Sequence, residues 1–400
     1  MLRERNLLDE AEARFRRVLE IDPRDADALF NLGAVLEAKM RLEEAAGCYR
    51  RALEVTPENA MLWLCLGRCL GVLRREKEAI RCLERSIELN GDIAEAYDVI
   101  GGMLLNAGRL EESSAAYRAA VRLAPDAPGA HNGLGCALVR LDRLEESADC
   151  FRKAIALQPA FGDAHFNLGY VRGLQREHAA AYDCYRLALE QQPDNPLYVA
   201  NALTEAQHLC DWSRFMQLSE AHRANVRASA QPPSHPFALL SIPSTRAEQL
   251  QCARNFAAPI VFRAGDPLAA TLPGQRRQGE RLTIGYLSGD LHEHVMAHWT
   301  AEMFELHDRS RFRTIAYSYG PDDGSPMRNR LRQAFDGFVE IGGLSHRAAA
   351  EAIRADRVDI LVDLKGYTTS ARTEIVALRP APIQVSFVGY PGTMGAGVID

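Results

Sequence analysis

Turn-forming, small and large apolar residues recur every 34 residues through the first half of the chain. Four series of such residues stay in phase. The first holds turn formers, Pro23, Pro57, Gly91, Pro125, Pro159 and Pro193, and the second holds Gly33, Gly67, Gly101, Gly135 and Gly169. The third holds large apolar residues, Tyr49, Leu83, Tyr117, Phe151 and Tyr185, and the fourth holds small residues, Ala52, Ser86, Ala120, Ala154 and Ala188. Proline cannot continue a helix, so the first series indicates the turns between units. Glycine allows two helices to approach closely, and the large apolar residue fills the groove between neighbouring units. The pattern predicts two antiparallel helices per unit.

An interval of 34 residues is the tetratricopeptide period, in which helix pairs stack into a solenoid. We expect five full repeats over about residues 24–193, and a half repeat before them in which Phe15 is in phase with Tyr49. The whole array is expected to occupy residues 1–197. Arrays of this kind usually bind peptides on their concave face, so we expect a protein or peptide partner there.

The repeat register explains several residues that otherwise suggest metal binding. His131 and His165 occupy the position held by Leu29, Trp63 and Tyr97 in the earlier repeats, so a packing role is expected for both histidines. Four cysteines share another repeat position and cannot converge on one ion, namely Cys48, Cys82, Cys150 and Cys184. The sequence therefore predicts no metal site in the repeats.

A connector is predicted over residues 198–277, because the repeat register is lost after Pro196. It contains helical stretches at 200–208, 212–228 and about 246–257, with a loop-like QPPSHP segment between the second and the third. The polar segment 274–280 follows, and we place a domain boundary near residue 278.

Strand and helix patterns alternate from residue 281 to the end of the sequence. Apolar, β-branched runs are found at 281–287, 311–319, 336–341, 358–364 and 383–388. Amphipathic stretches separate them at about 296–306, 326–335, 346–355 and 370–378. This alternation predicts an α/β Rossmann-like domain over residues 278–400, with a parallel sheet and right-handed crossovers. No G-x-G-x-x-G follows the first strand, so the pattern does not support dinucleotide binding.

The loops that follow the first, fourth and fifth strands carry the candidate chemistry, because sites in open sheets lie at the carboxyl ends of strands. They cover residues 288–295, 365–369 and 389–395. His292, His294 and His298 cluster in and after the first loop, and a neutral imidazole is a suitable general base for a hydroxyl acceptor. No cysteine or carboxylate with ligand spacing accompanies them, which argues against a metal site. A turn-forming role alone remains the alternative for the glycines of the third loop.

Composition limits the class of protein. The chain has 400 residues, of which 47% are hydrophobic and 25% charged, as in folded chains of two or three domains. Its net charge of −6 argues against sequence-independent binding to nucleic acid. No apolar run approaches the ~20 residues that span a bilayer, and the start lacks the apolar segment of a secretory signal. Nine cysteines without such a signal indicate reduced thiols, so we expect a cytoplasmic protein with no membrane partner.

The repeats, followed by RLTIGYLSGDLHEHVMAHW, DILVDLKGYT, ALRPAPIQV and GYPGTMGA, resemble the O-linked N-acetylglucosamine transferase family, and its bacterial members above all. The resemblance covers essentially the whole chain. It implies an inverting, two-lobe glycosyltransferase that moves N-acetylglucosamine from UDP-N-acetylglucosamine to Ser or Thr hydroxyls without a metal or other cofactor. Plant and some bacterial relatives look similar and use GDP-fucose, which leaves an O-fucosyltransferase as an alternative.

The resemblance also implies roles for individual residues. His294 matches the active-site histidine of the family, which is proposed to act as a base or to orient a substrate, and His298 matches a second histidine one turn later. Substrate-binding roles are implied for residues of the two later loops, namely Lys365, Tyr367, Thr368, Tyr390, Pro391, Gly392 and Thr393.

Three features depart from the family pattern. Val295 stands where the family often has proline after the histidine. The asparagine series that lines the concave face of eukaryotic members is here Asn31, Cys65, Val99, Gly133 and Asn167, so only its ends match. The sequence ends at Asp400, before the second lobe that carries the nucleotide-binding residues in the family. We therefore expect the 400 residues alone to be inactive, and a non-catalytic tetratricopeptide adaptor is the alternative function.

Overall fold

A computed structural model describes residues 2–268, 280–368, 370–395 and 397–400. The chain divides into two compact units, Met1–Pro193 and Asp194–Asp400. The predicted boundary near residue 278 lies outside the described residues, and the division into array, connector and lobe stays a prediction. No helix of the described ranges is long and apolar enough to cross a membrane.

The first unit is the predicted solenoid of antiparallel helix pairs. Its helices are α1 Leu2–Ile21, α2 Ala26–Ala38, α3 Leu42–Val55, α4 Ala60–Val72, α5 Glu76–Leu89, α6 Ala94–Asn106, α7 Leu110–Leu123, α8 Pro128–Arg140, α9 Leu144–Leu157, α10 Gly162–Leu174 and α11 His178–Gln191. Asp25 caps α2, because its side chain accepts a hydrogen bond from the amide of Ala28 at 2.8 Å.

The glycine and aromatic series meet inside each repeat. A Cβ atom on Gly33 would lie 2.5 Å from Cε1 of Tyr49, and one on Gly135 would lie 2.5 Å from Cε1 of Phe151. Both rings are completely buried. The glycine is therefore needed because the ring sixteen residues later occupies the space of a side chain.

The repeat position of His131 and His165 stabilises the turn between repeats. The Nε2 atom of each histidine lies 2.9 Å from the carbonyl oxygen of the proline six residues earlier. Trp63 makes the equivalent bond through its indole N–H to the carbonyl of Pro57, at 2.8 Å. The predicted packing role of the two histidines is confirmed, and each ring also satisfies a turn carbonyl.

The second unit begins with four helices, α12 Pro196–His208, α13 Phe215–Arg227, α14 Pro236–Leu240 and α15 Arg246–Ala264. Thr245 and Glu248 form a capping box at the start of α15. The Glu248 carboxylate also accepts from Arg223 at 3.0 Å and from Arg227 at 2.7 Å. The backbone bond from Thr245 and these two guanidinium groups hold the pKa of Glu248 down at about 2, so the ion pairs that join α13 and α15 persist well into the acid range.

His222 of α13 predicts a pH dependence of stability. Its ring is completely buried, and neither nitrogen has a hydrogen-bond partner among the described residues. Burial lowers the pKa of His222 to about 4 from its ordinary value of 6.5. Between these two values the unfolded chain takes up a proton that the folded chain refuses, so stability is complete above pH 6.5 and falls towards pH 4.

The expected loss through His222 is about 3 kcal/mol in the free energy of unfolding of the second unit. It is measured by denaturant unfolding at pH 7 and pH 4.5 for the wild type and for His222→Leu, since other groups titrate equally in both proteins. The difference between the two proteins should change with pH. A constant difference would contradict the assignment.

A five-stranded, fully parallel sheet forms the rest of the described part of this unit, in the order β3-β2-β1-β4-β5. The strands are β1 Leu282–Ser288, β2 Phe312–Ser318, β3 Gly337–Glu340, β4 Ile360–Asp363 and β5 Ile383–Ser386. The helices between them are α16 Val295–Glu305, α17 Pro326–Ala334, α18 His346–Ala355 and α19 Thr373–Ala377. The Rossmann-like prediction is confirmed, although the last three strands and α19 are shorter than the apolar runs suggested.

Helices cover both faces of the sheet. Leu287, Ile315 and Leu361 pack with residues of α18 and α19, whereas Ala316 and Val362 pack on the other face with α16 and α17. The order of the strands reverses at β1, which has β2 on one side and β4 on the other. The chain therefore turns to opposite sides after β1 and after β4, which leaves a gap between the two loops at the carboxyl ends of these strands. Such a switch point is where open α/β sheets bind ligands.

Candidate functional site

His294 is the N-cap residue of α16 and lies at this switch point. Its backbone is extended, with φ −150° and ψ 149°, and the helix begins at Val295. Its Nδ1 atom accepts a hydrogen bond from the amide of Met296 at 3.2 Å. The side chain remains 41% exposed, so the rest of the ring is open to a ligand.

The capping bond determines which ring nitrogen carries the proton. A nitrogen that accepts a hydrogen bond has no proton of its own, so a neutral His294 ring carries its proton on Nε2. In this tautomer Nε2 is a hydrogen-bond donor. The arrangement suits a ring that orients a reacting oxygen better than one that removes a proton from it.

A lysine–aspartate ion pair lies beside His294 and joins the loops after β1 and β4. The Nζ atom of Lys365 is 2.9 and 3.0 Å from the two carboxylate oxygens of Asp290, and the side chains are only 10% and 13% exposed. The Oδ2 atom of Asp290 is 3.9 Å from Nδ1 of His294. The predicted residues His294 and Lys365 are thus brought together through Asp290, which the sequence analysis did not select.

Asp363, the last residue of β4, shapes the loop that presents Lys365. Its carboxylate accepts hydrogen bonds from the backbone amides of Lys365 and Gly366, each at 3.0 Å. Burial raises the pKa of Asp363, and these two bonds and the Lys365 charge oppose that rise. An aspartate at the end of a predicted strand was the signal in the sequence that could have identified it.

Arg328 of α17 holds the loop after β1, which carries His294, in place. Its side chain is completely buried, and Nη1 donates to the carbonyl of Leu291 at 2.7 Å and to Oγ of Ser318 at 3.3 Å. Its Nη2 atom donates to Glu340 at 2.5 Å, and the guanidinium group lies 5.2 Å from the ring centre of Phe338. One side chain therefore ties together the carboxyl ends of β1, β2 and β3.

The side chain of His298 has a different partner from that of His294. Its Nε2 atom lies 2.6 Å from Oε1 of Glu293, and both side chains are about half exposed. The ring of His292 lies 5.7 Å from that of His294, and its Nδ1 atom is buried without a hydrogen-bond partner in the described part of the chain. The substrate-binding role of His298 stays a prediction, as does transfer without a metal.

Tyr367 and Tyr390 form a buried aromatic group beneath the two later loops. The ring centre of Tyr367 is 5.1 Å from that of Phe256 in α15 and 5.5 Å from that of Tyr390. Tyr367 is 2% exposed and donates its hydroxyl to the carbonyl of Met394 at 2.6 Å. Burial also raises the pKa of Tyr390 to about 12. Both side chains support the loops here, and neither is open to a ligand.

The remaining predicted residues lie on the outside of the same two loops. Pro391 and Thr393 are exposed, and Thr368 uses its hydroxyl to donate to the carbonyl of Lys365 at 3.0 Å. A Cβ atom on Gly392 would lie 2.6 Å from the hydroxyl oxygen of Tyr390. The glycine allows the loop to fold over that ring, whose centre is 5.5 Å from that of Tyr367, so the predicted residues of both loops are close together.

Comparisons with known proteins agree with this organisation. Three segments match the tetratricopeptide repeat, namely residues 2–60, 70–128 and 132–196. The chain is 35% identical over 205 residues to the probable UDP-N-acetylglucosamine–peptide N-acetylglucosaminyltransferase SEC of Arabidopsis thaliana, which covers 48% of this chain and 21% of that protein. The corresponding Caenorhabditis elegans enzyme is 33% identical over 205 residues, covering 48% of this chain and 18% of its own.

A solved structure of a Thermobaculum terrenum O-GlcNAc transferase mutant is similar over 77% of this chain and 52% of its own, at 24% identity and a TM-score of 0.43. The chain spans about a fifth of the length of the curated relatives described above. A match to glycosyl transferase family 41 extends from residue 184 to residue 400. Because that match covers more than half of the chain, this protein belongs to glycosyl transferase family 41 and carries tetratricopeptide repeats before its glycosyltransferase region.

Proposed function

We propose that this protein transfers N-acetylglucosamine from UDP-N-acetylglucosamine to serine or threonine hydroxyls of other proteins, with inversion at the anomeric carbon. Relatives from Arabidopsis thaliana and Caenorhabditis elegans carry names that describe the donor and the peptide acceptor. The observation that carries the proposal is the half-exposed His294 ring at the switch point of the sheet, beside the buried pair of Asp290 and Lys365.

Inversion requires the acceptor oxygen to attack the anomeric carbon from the side opposite the leaving nucleotide. The new carbon–oxygen bond forms as the bond to the phosphate oxygen breaks, the nucleoside diphosphate leaves with the bonding electrons, and the hydroxyl proton passes to water. Much of the catalytic effect then comes from holding the reacting atoms in line. We assign His294 this orienting role, since its Nε2 proton can bind a reacting oxygen while Nδ1 is held by Met296.

Lys365 supports this role through Asp290. The carboxylate of Asp290 is 3.9 Å from Nδ1 of His294, and an uncompensated charge there would attract a proton to that nitrogen. Lys365 compensates the charge with two short contacts, at 2.9 and 3.0 Å. Nδ1 is thus left free to accept from the helix amide, which favours the Nε2-protonated ring.

The repeats are proposed to hold the acceptor protein, but not by an asparagine series. The amide nitrogen of Asn31 donates to the carbonyl of Asp27 at 2.8 Å, and that of Asn167 donates to Asn132 at 2.9 Å. Cys65, at the equivalent position between them, is 5% exposed. The side-chain amides of Asn31 and Asn167 are therefore already hydrogen-bonded within the repeats, so capture of the acceptor has to use other groups.

A donor assay tests the proposed activity. The protein is expressed from its complete reading frame and incubated with a lysate of its source organism and radiolabelled UDP-N-acetylglucosamine, with GDP-fucose as the control donor. We expect label from UDP-N-acetylglucosamine on protein, released by mild alkali because it is linked to Ser or Thr. Removal of the label by a β-N-acetylhexosaminidase would show inversion of the α-linked donor.

Two outcomes would contradict the proposal. Label from GDP-fucose alone would make the protein an O-fucosyltransferase. Absence of label from both donors, with lysate proteins still bound to the repeats, would favour the adaptor function.

A further inference from the structure

The first unit contains a groove that belongs to neither the asparagine series nor the glycosyltransferase region. Its volume is about 520 Å³, and it is lined by α3, α4 and α5. The volume is within the range of pockets that bind small molecules or side chains, roughly 300–1,000 Å³. Cys65, which occupies the asparagine-series position in this repeat, does not line it.

The floor of the groove is apolar and rigid. Leu66 and Leu70 are 3% and 1% exposed, and they belong to the main core of the first repeats. Trp63 forms a partly buried wall, and its indole N–H is fixed by the bond to the carbonyl of Pro57 at 2.8 Å. A large apolar side chain would therefore enter a preformed pocket with one aromatic face.

The side of the groove formed by α5 is basic. Arg81 and Arg85 are exposed and one helical turn apart. Arg85 contacts Glu88 at 2.9 Å, whereas Arg81 makes no hydrogen bond or ion pair with the residues that the structure describes. Glu78 on the same helix is already bound by Arg75 through two contacts of 2.9 Å. The remaining acid of the lining, Glu54, belongs to α3 on the other side, together with a third arginine, Arg50, which lies 3.8 Å from Glu78.

Arg81 departs from the repeat pattern. The position of Arg81 is occupied in the other repeats by Gly47, Ala115, Asp149 and Asp183. The position of Trp63 also holds large side chains in the other repeats, and His131 and His165 bind the turn carbonyl there as Trp63 does, so Trp63 serves the solenoid as well as the groove. A residue required by the solenoid would recur with the period, as the glycines do. An exposed arginine found at this position in one repeat alone therefore indicates binding rather than folding.

We propose that this groove docks a linear acidic segment of a partner protein, which inserts one large apolar side chain against Trp63. A carboxylate next to that side chain binds Arg81, because a guanidinium group pairs with a carboxylate through two parallel hydrogen bonds. Arg85 and Arg50 add to the positive charge of the groove, whose lining holds three arginines against the two acids Glu54 and Glu78. The proposal is independent of the activity of the second unit.

The probe is the short peptide Asp-Glu-Phe-Glu-Asp, acetylated and amidated, added to the 400-residue chain. Binding is followed by NMR through the indole N–H signals of the 3 tryptophans, with the Trp63 signal assigned from Trp63→Phe. We expect a saturable shift of the Trp63 signal. Peptides with lysine in place of the acids, or serine in place of phenylalanine, should give little shift.

Arg81→Ala should weaken binding of the acidic peptide roughly tenfold, as for loss of a charge-assisted hydrogen bond. The matched control is Arg122→Ala, which removes another exposed arginine, in α7 outside the groove. Equal effects of the two variants would overturn the proposal, as would an equal shift with the lysine peptide or no saturable shift at all. A Trp63 shift that depends on protein concentration without peptide would instead assign the groove to a second copy of the chain.

Discussion

Replacing His294 by alanine is expected to lower glycosyl transfer by roughly 10²–10³-fold, the usual effect of removing one hydrogen-bond donor aimed at a reacting oxygen. The variant also loses the N-cap of α16, because Nδ1 no longer accepts from the amide of Met296. The loss of the cap alone costs about 1 kcal/mol of stability and leaves the folded enzyme in place. The measurement is the initial rate of label transfer from the preferred donor to protein.

Two further variants separate the role of Nδ1 from that of Nε2. In His294→Asn the short amide can still cap α16, but no donor reaches the position of Nε2. In His294→Gln the longer amide can place an N–H near that position and loses the cap. If His294 orients a reacting oxygen, the glutamine variant should retain more activity than the asparagine variant. Equal loss in both, with activity in the wild type rising as the ring loses its proton, would show that His294 is the base.

Arg328→Met is expected to destabilise the sheet by about 3 kcal/mol, because it leaves the buried carbonyl of Leu291 and the hydroxyl of Ser318 without their donor. The two units of the chain need not unfold together, so a single unfolding midpoint is a poor measure. Hydrogen exchange of the amides in β1 and β2 reports the effect directly. We expect these amides to lose protection in the variant.

Arg332→Met is the matched control for Arg328→Met. Arg332 is four residues later on the same helix. It binds Asp322 at 2.8 Å and Glu340 at 3.0 Å, the two acids with which Arg328 also forms ion pairs, at 3.2 and 2.5 Å. Its side chain is 41% exposed, so its ion pairs are screened by water and its removal should cost less than about 1 kcal/mol. Similar loss of protection in both variants would show that charge, rather than the buried hydrogen bonds of Arg328, stabilises the sheet.

The helix pairs of the first unit could be predicted because their signals are local. Gly33 and Tyr49 are in one repeat, and the contact between them recurs at every period, so five copies of the same pattern reinforce one interpretation. The parallel sheet was predicted for a similar reason, since β-branched runs alternate with amphipathic helices. Strands β3, β4 and β5 are shorter than their apolar runs, because such a run indicates a buried segment and not how many of its residues pair with a neighbouring strand.

The candidate site was only partly predictable. His294 and Lys365 were selected from a resemblance, but the residue that connects them, Asp290, was not. Tyr367 was expected to face a ligand, and it instead packs against Phe256 of α15. A sequence does not show which face of a loop is covered when the covering residue is more than a hundred positions away.

The sequence by itself determined the repeat register, the alternation of strands and helices, and the loops in which the chemistry lies, because each depends on residues close together in the chain. Only the tertiary structure decided that Lys365 neutralises Asp290, that Arg328 ties three strand ends together, and that His294 caps its helix through Nδ1. The first two of these contacts join residues far apart in sequence, and the third depends on where α16 begins. The free energy of such contacts comes from burial and geometry, which exist only once the strands have been placed side by side.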